Sequence, residues 1–304
     1  MNWIDYLISA ILAFILLSVG LSLRKKDFIK LKDNPRILFV GMFLQLITLP
    51  LIAFSVASIW ELSPAFKAGI IILSATPGGM SSNFVSYILK ANTALAVSLT
   101  ICNSLVTMFT VPFIVNLGLS FFYGSVELYA LPFWETAGRI FTIVLVPVSV
   151  GVAYRAYYPN HARRLQLGFR WISMVLLAGV FIIKAFAPAE SGGSALTMNE
   201  VMTILPASLT VNFLALATGW LVGWGMGYSR NNQLTLGVEI GIQNTSLAFL
   251  IAATLIGNED MLKPALIYAT FSFFTALLYG LLLKPRQWSV LKRELKELIG
   301  LVVK

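Results

Sequence analysis

Apolar residues run along this chain in blocks of about 20, the length an α-helix needs to cross a bilayer. Nine such blocks stand out: 3–23, 37–59, 66–89, 93–117, 130–154, 168–187, 201–227, 233–256 and 263–283. Charge clusters or short polar turns close each one. The pattern predicts an all-α polytopic membrane protein with nine transmembrane helices. Two blocks break their own rule. The third contains ATPGGMSSN at 75–83, where Pro77 lacks an N–H and Gly78 and Gly79 follow it. The eighth contains GVEIGIQNTS at 237–246, with Gly237 and Gly241 around Glu239 and with Gln243 and Asn244 after it. Both interruptions fall near the middle of their spans. Proline removes a helical hydrogen bond and clashes with the preceding turn. Non-helical backbone at that depth persists only where protein buries it or a cavity exposes it.

The broken blocks occupy matching places. The third block is third of the first four, and the eighth is third of the last four. With an odd number of spans, the two four-helix halves point in opposite directions. Paired interrupted helices in inverted halves are the sequence pointer to a secondary transporter's binding site. We therefore expect one transmembrane domain over 1–283. Its halves lie at about 1–120 and 165–283, and a connector helix lies at 126–155.

Charge sets the orientation. Most of the 22 basic residues lie in loops on one side: Arg24 to Arg36, Lys90, Arg155 to Arg170, Arg230 and the tail beyond 283. Positive loops stay cytoplasmic, so the N-terminus is expected outside and the C-terminus inside, in a cell (inner) membrane. The start, MNWIDYLISAILAF, has no positive leader region and reads as a first span. The tail 284–304 reads as a cytoplasmic amphipathic segment. Trp3, Trp60, Trp134 and Trp288 lie near span ends as interfacial anchors.

Composition agrees. The chain is 58% hydrophobic and 12% charged, with mean hydropathy +0.83; soluble domains carry about 25% charged residues. A soluble enzyme is excluded on that ground. One cysteine, Cys102, allows no intrachain disulfide, and the lone His161 sits in the basic stretch PNHARR. Neither supports a nucleophile–base pair or a thiolate or imidazole metal site. Met42, Met80 and Met108 read as packing.

Glu239 is the only carboxylate deep in a block, and no Lys or Arg falls deep in any block other than Arg139. A charge there costs about 2.5–3.5 kcal/mol on insertion scales. A bound cation or a proton is the expected compensation. Each broken helix offers free N–H groups where its second half begins and free carbonyls where its first half ends. The N-termini at Met80, Ser81 and Ser82 and at Asn244, Thr245 and Ser246 favour an anion. The carbonyls around Glu239–Ile242, with the Glu239 carboxylate, favour a hard cation.

At PGGMSSNFVSYILKANTALAVSLT (77–100) and EIGIQNTSLA (239–248) the chain resembles the bile acid:sodium symporter family, over about residues 10 to 283 and in its nine-span form. The resemblance implies two crossing discontinuous helices in a core domain, with a panel domain moving against it. It implies one sodium site from Gln45, Glu239, Ile240, Ile242 and Gln243, and another from Ser82, Asn83, Thr100 and Glu239. Relatives place a hydroxyl one turn before Thr100 where this chain has Ala96, so one or two sodium ions (Na+) are implied. The expectation is sodium-coupled symport of an organic anion by alternating access, the cargo being bile acid-like or a small carboxylate such as pantoate. Two alternatives stay open. One is a proton-coupled or sodium-independent carrier of auxin-efflux type, and the other is a membrane sensor or channel.

Overall fold

The computed structural model describes residues 3–23, 35–124, 131–187 and 193–285. Among the described residues the secondary structure is helical apart from one isolated antiparallel bridge. In order the helices are α1 (Trp3–Ser22), α2 (Pro35–Ile59), α3 (Pro64–Ala75), α4 (Met80–Ile88), α5 (Thr93–Tyr123), α6 (Phe133–Tyr157), α7 (Pro159–Phe186), α8 (Met198–Gly225), α9 (Arg230–Gly241), α10 (Thr245–Ile256) and α11 (Lys263–Leu283). Helices α2, α5, α6 and α8, and α11 with the turn before it, are long and apolar enough to cross a membrane. Shorter apolar helices run over Ala13–Ser22, Pro64–Ala75 and Thr245–Ile256. The tail from 286 onward lies outside the described residues.

Local chemistry explains the helix ends. Ser63 opens α3, its hydroxyl accepting from Phe66 N, and Pro64 takes the first position, where a missing N–H costs nothing. Asn92 caps α5 through Leu95 N. Thr197 and Glu200 form a capping box at the start of α8. Helices α2 and α6 each contain a widened π segment, Leu44–Thr48 and Phe141–Leu145. Each segment lies just before a proline, Pro50 or Pro147. A proline ring collides with the carbonyl four residues back, and widening the turn there relieves the collision.

Packing divides the helices unevenly. Helix α1 lies chiefly on α6 and α7, while α2 to α5 and α8 to α11 lie chiefly on one another. Small residues allow the closest approaches. A Cβ built on Gly20 would fall 2.2 Å from Val148 O, fixing the α1–α6 crossing, and one on Gly219 would fall 2.5 Å from Gly237 Cα, fixing α8 on α9. Large apolar side chains such as Phe39, Phe43, Phe113 and Phe213 are exposed on the outside of the bundle, as a lipid-facing surface requires.

The basic residues correct the sequence picture in one respect. Arg139 is exposed and pairs with Glu135 at 2.7 Å. Among the described residues the buried cations are Lys184, 1% exposed and 2.6 Å from Glu259, and Lys263, paired with Glu200 and Asp260. Both lie at helix ends with acidic partners. His161 is exposed beside the Tyr154 hydroxyl.

Candidate functional site

Helices α3 and α9 are each 12 residues long. At 1.5 Å per residue each advances about 18 Å, roughly half of a bilayer core of about 30 Å. Non-helical backbone then interrupts both: Thr76 to Gly79 after α3, and Ile242 to Asn244 after α9. The interruptions meet. Gly78 and Gln243 form the antiparallel bridge, and Asn244 N donates to Pro77 O at 2.9 Å. The two broken elements thus cross in opposite directions and satisfy part of each other's backbone.

Gly78 makes the crossing possible. A Cβ there would lie 2.4 Å from Glu239 Oε1, so any side chain would displace the carboxylate. Glu239 is 1% exposed. Ser82 Oγ donates to its Oε2 at 2.8 Å, and Thr100 Oγ1 donates to its Oε1 at 2.6 Å. Asn83 Nδ2 donates to the Thr100 oxygen at 3.1 Å. Among the described residues Glu239 has no basic partner. Ser82, Asn83, Thr100 and Glu239 therefore form one polar cluster, joining α4, α5 and α9.

A second cluster adjoins it. Gln45, 2% exposed in the π segment of α2, donates from Nε2 to Thr76 O at 2.7 Å and to Gln243 Oε1 at 2.9 Å. Gln243 Nε2 donates to Ile240 O at 2.7 Å. Ile242 lies at the turn, with its N–H on Val238 O. Within these two clusters the buried amide oxygens Gln45 Oε1 and Asn83 Oδ1 accept no hydrogen bond. A stranded buried acceptor costs about 1–3 kcal/mol, and buried oxygens beside a carboxylate with no basic partner match a hard cation.

The helix starts face the same crossing. Helix α4 begins at Met80 with Gly79 as its cap, so no side chain covers its first N–H groups. Ser81 is exposed and Ser82 buried. Helix α10 begins at Thr245, with Ser246 next, both half-buried. Asn244 caps that helix through Oδ1, which accepts from Leu247 N at 3.1 Å. Its oxygen is therefore committed to the fold, which the sequence did not reveal.

Sequence reasoning also missed the residues that hold Gly241. Its carbonyl ends α9 and accepts from Asn212 Nδ2 at 2.7 Å and from Tyr268 Oη at 2.8 Å. Asn212 and Tyr268 are fully buried. An asparagine inside an apolar block was the available signal.

Residues 9–191 match the model of the Sodium Bile acid symporter family. The chain belongs to that family. It is 28% identical over 84% of its length to a probable chloroplastic sodium/metabolite cotransporter of Oryza sativa subsp. japonica. It is 24% identical over 83% of its length to an uncharacterized sodium-dependent transporter of Bacillus subtilis, covering 75% of that protein. It is 24% identical over 92% of its length to the ileal sodium/bile acid cotransporter of Oryctolagus cuniculus, covering 80% of it. The match spans 58% of the rice protein and 60% of a related chloroplast protein of Arabidopsis thaliana. The family is one of transporters, not enzymes.

Proposed function

We propose that the chain is a sodium-coupled symporter of an organic anion, working by alternating access at the crossing of the two broken helices. The observation that carries the reading is the crossing itself. It sets a buried carboxylate without a basic partner beside amide oxygens that lack donors. Sodium bound by Gln45, Glu239, Gln243 and the carbonyls of Ile240 and Ile242, or by Ser82, Asn83, Thr100 and Glu239, neutralises Glu239. It also ties α2, α4, α5 and α9 together. That ordering sets the N–H groups at the starts of α4 and α10 for a carboxylate or similar anion. Linkage then requires the anion to tighten sodium by the same factor.

Nine spans follow if each broken pair, α3–α4 and α9–α10, counts as one crossing. The N-terminus is then outside and the C-terminus cytoplasmic, in a cell membrane. Helices α1, α6 and α7 form the panel, the remaining helices the core, and the halves are inverted about the connector α6. Bile acid-like anions and small carboxylates such as pantoate are the substrate classes to screen; the relatives are named for bile acid and for an unspecified metabolite.

The test is the thermal midpoint of purified protein against NaCl and KCl at matched ionic strength. A specific ligand of the folded state stabilises by mass action. Sodium, not potassium, raises the midpoint of the wild type, and Glu239→Ala removes the effect. Equal behaviour in the two salts overturns sodium coupling and turns the search to pH-driven uptake.

A further inference from the structure

Asn103 lies on α5, 0% exposed, and neither its amide nitrogen nor its amide oxygen has a hydrogen-bond partner. No other buried amide among the described residues has both ends unmet. Folded interiors pair nearly all such groups, because an unpaired buried amide opposes folding. Something outside the protein's own hydrogen bonds must reward this residue.

Its position says what. Thr100, three residues earlier on α5, touches Glu239 Oε1. Leu99 packs against Gly41 of α2, where a Cβ would fall 2.4 Å from the leucine side chain. Helices α2 and α5 run the same way, because the α3–α4 element returns between them. One turn beyond the Gly41–Leu99 contact, α2 presents Gln45 and α5 presents Asn103. Asn103 is therefore level with one polar cluster and one turn from the other. The unmet oxygens Gln45 Oε1 and Asn83 Oδ1 belong to those same two clusters.

We propose that Asn103 Oδ1 is a ligand of the coupling cation held by Ser82, Asn83, Thr100 and Glu239. The proposal rests on the sodium reading above. Hard cations gather about six oxygens, and the side chains of those four residues fall short unless further oxygens join. An amide oxygen one helical turn from Thr100 extends the set without adding charge.

The experiment measures the sodium-induced rise in thermal midpoint, with choline chloride as the ionic-strength control. It uses wild type, Asn103→Leu, Asn103→Ala, Asn103→Asp and Glu239→Gln. The wild type responds and Glu239→Gln does not. Asn103→Leu and Asn103→Ala need about tenfold more sodium for half of the effect, while the leucine variant without sodium melts no lower than the wild type, since an apolar group replaces an unpaired amide. Asn103→Asp, which keeps an oxygen in place, retains the response. Wild-type sodium dependence in the leucine and alanine variants overturns the assignment, as does loss of the response in the aspartate variant. A merely structural asparagine would lower the sodium-free midpoint and leave the sodium dependence unmoved. If the wild type itself shows no sodium response, the sodium reading fails and the Asn103 assignment falls with it.

Discussion

The geometry at single residues explains why the crossing tolerates so little change. Gly78 has backbone angles open to other residues; what excludes them is the Glu239 carboxylate, 2.4 Å from where a Cβ would sit. Gly78→Ala should lower sodium-dependent uptake into vesicles by about tenfold or more, the equivalent of 1.4 kcal/mol at the site, with insertion into the membrane unchanged. The Gly241 carbonyl is held twice, by Asn212 and Tyr268. Tyr268→Phe leaves one of those bonds and should cost about 1 kcal/mol, whereas Asn212→Ala removes a buried partner and should cost about 1–3 kcal/mol. Thermal midpoints of the purified variants would rank them. Glu239, Gln243, Ser82 and Asn83 were legible as polar residues in the two breaks, whereas Gln45 and Thr100 came only through the family resemblance. Asn212 and Tyr268 were not legible as partners of Gly241, because which helix packs on which is not written in local sequence.

At the level of elements, the breaks were readable because Pro77 with Gly78 and Gly79 interrupts the third block, and Gly237 and Gly241 loosen the eighth around polar residues. The π segments were not, since nothing in Leu44–Thr48 marks a wide turn except the proline two residues on. That segment aims Gln45 at Thr76 and Gln243. Pro50→Ala lets α2 return to regular α geometry and re-aims the amide. We expect a weaker sodium response, about tenfold in half-saturating concentration, together with a helix of equal or better intrinsic stability. Sodium titration of the melting midpoint checks the first part, and the sodium-free midpoint the second.

For the molecule as a whole, the grouping of α1 with α6 and α7 becomes visible only in three dimensions. Sequence offered equal spacing of apolar blocks and no sign of which helices would associate. The two groups also touch through charge: Lys184 at the end of α7 reaches Glu259 in the turn before α11. Lys184 is almost completely buried, while the Glu259 side chain is a third exposed, so the pair lies between the buried and the surface cases. Lys184→Met should cost about 1–2 kcal/mol, a fall in thermal midpoint, and, under the alternating access proposed above, should shift the balance between the two access states. Cysteine labelling at positions flanking the crossing, compared between wild type and variant, would report that shift.

The lone carboxylate at the crossing has an electrical consequence. Under the sodium-coupled alternating access proposed above, a carrier holding Glu239 with two sodium ions and one monovalent anion would move as a neutral body, whereas the empty carrier would move with one uncompensated negative charge. Membrane voltage then acts on the return of the empty protein and hardly at all on the loaded one, by up to about 2.3 kcal/mol per 100 mV for a charge that crosses the whole field. With one sodium ion the same accounting assigns a negative charge to both steps, and voltage cancels over the cycle. Substrate-evoked current, present or absent, thus counts the ions sharing Glu239.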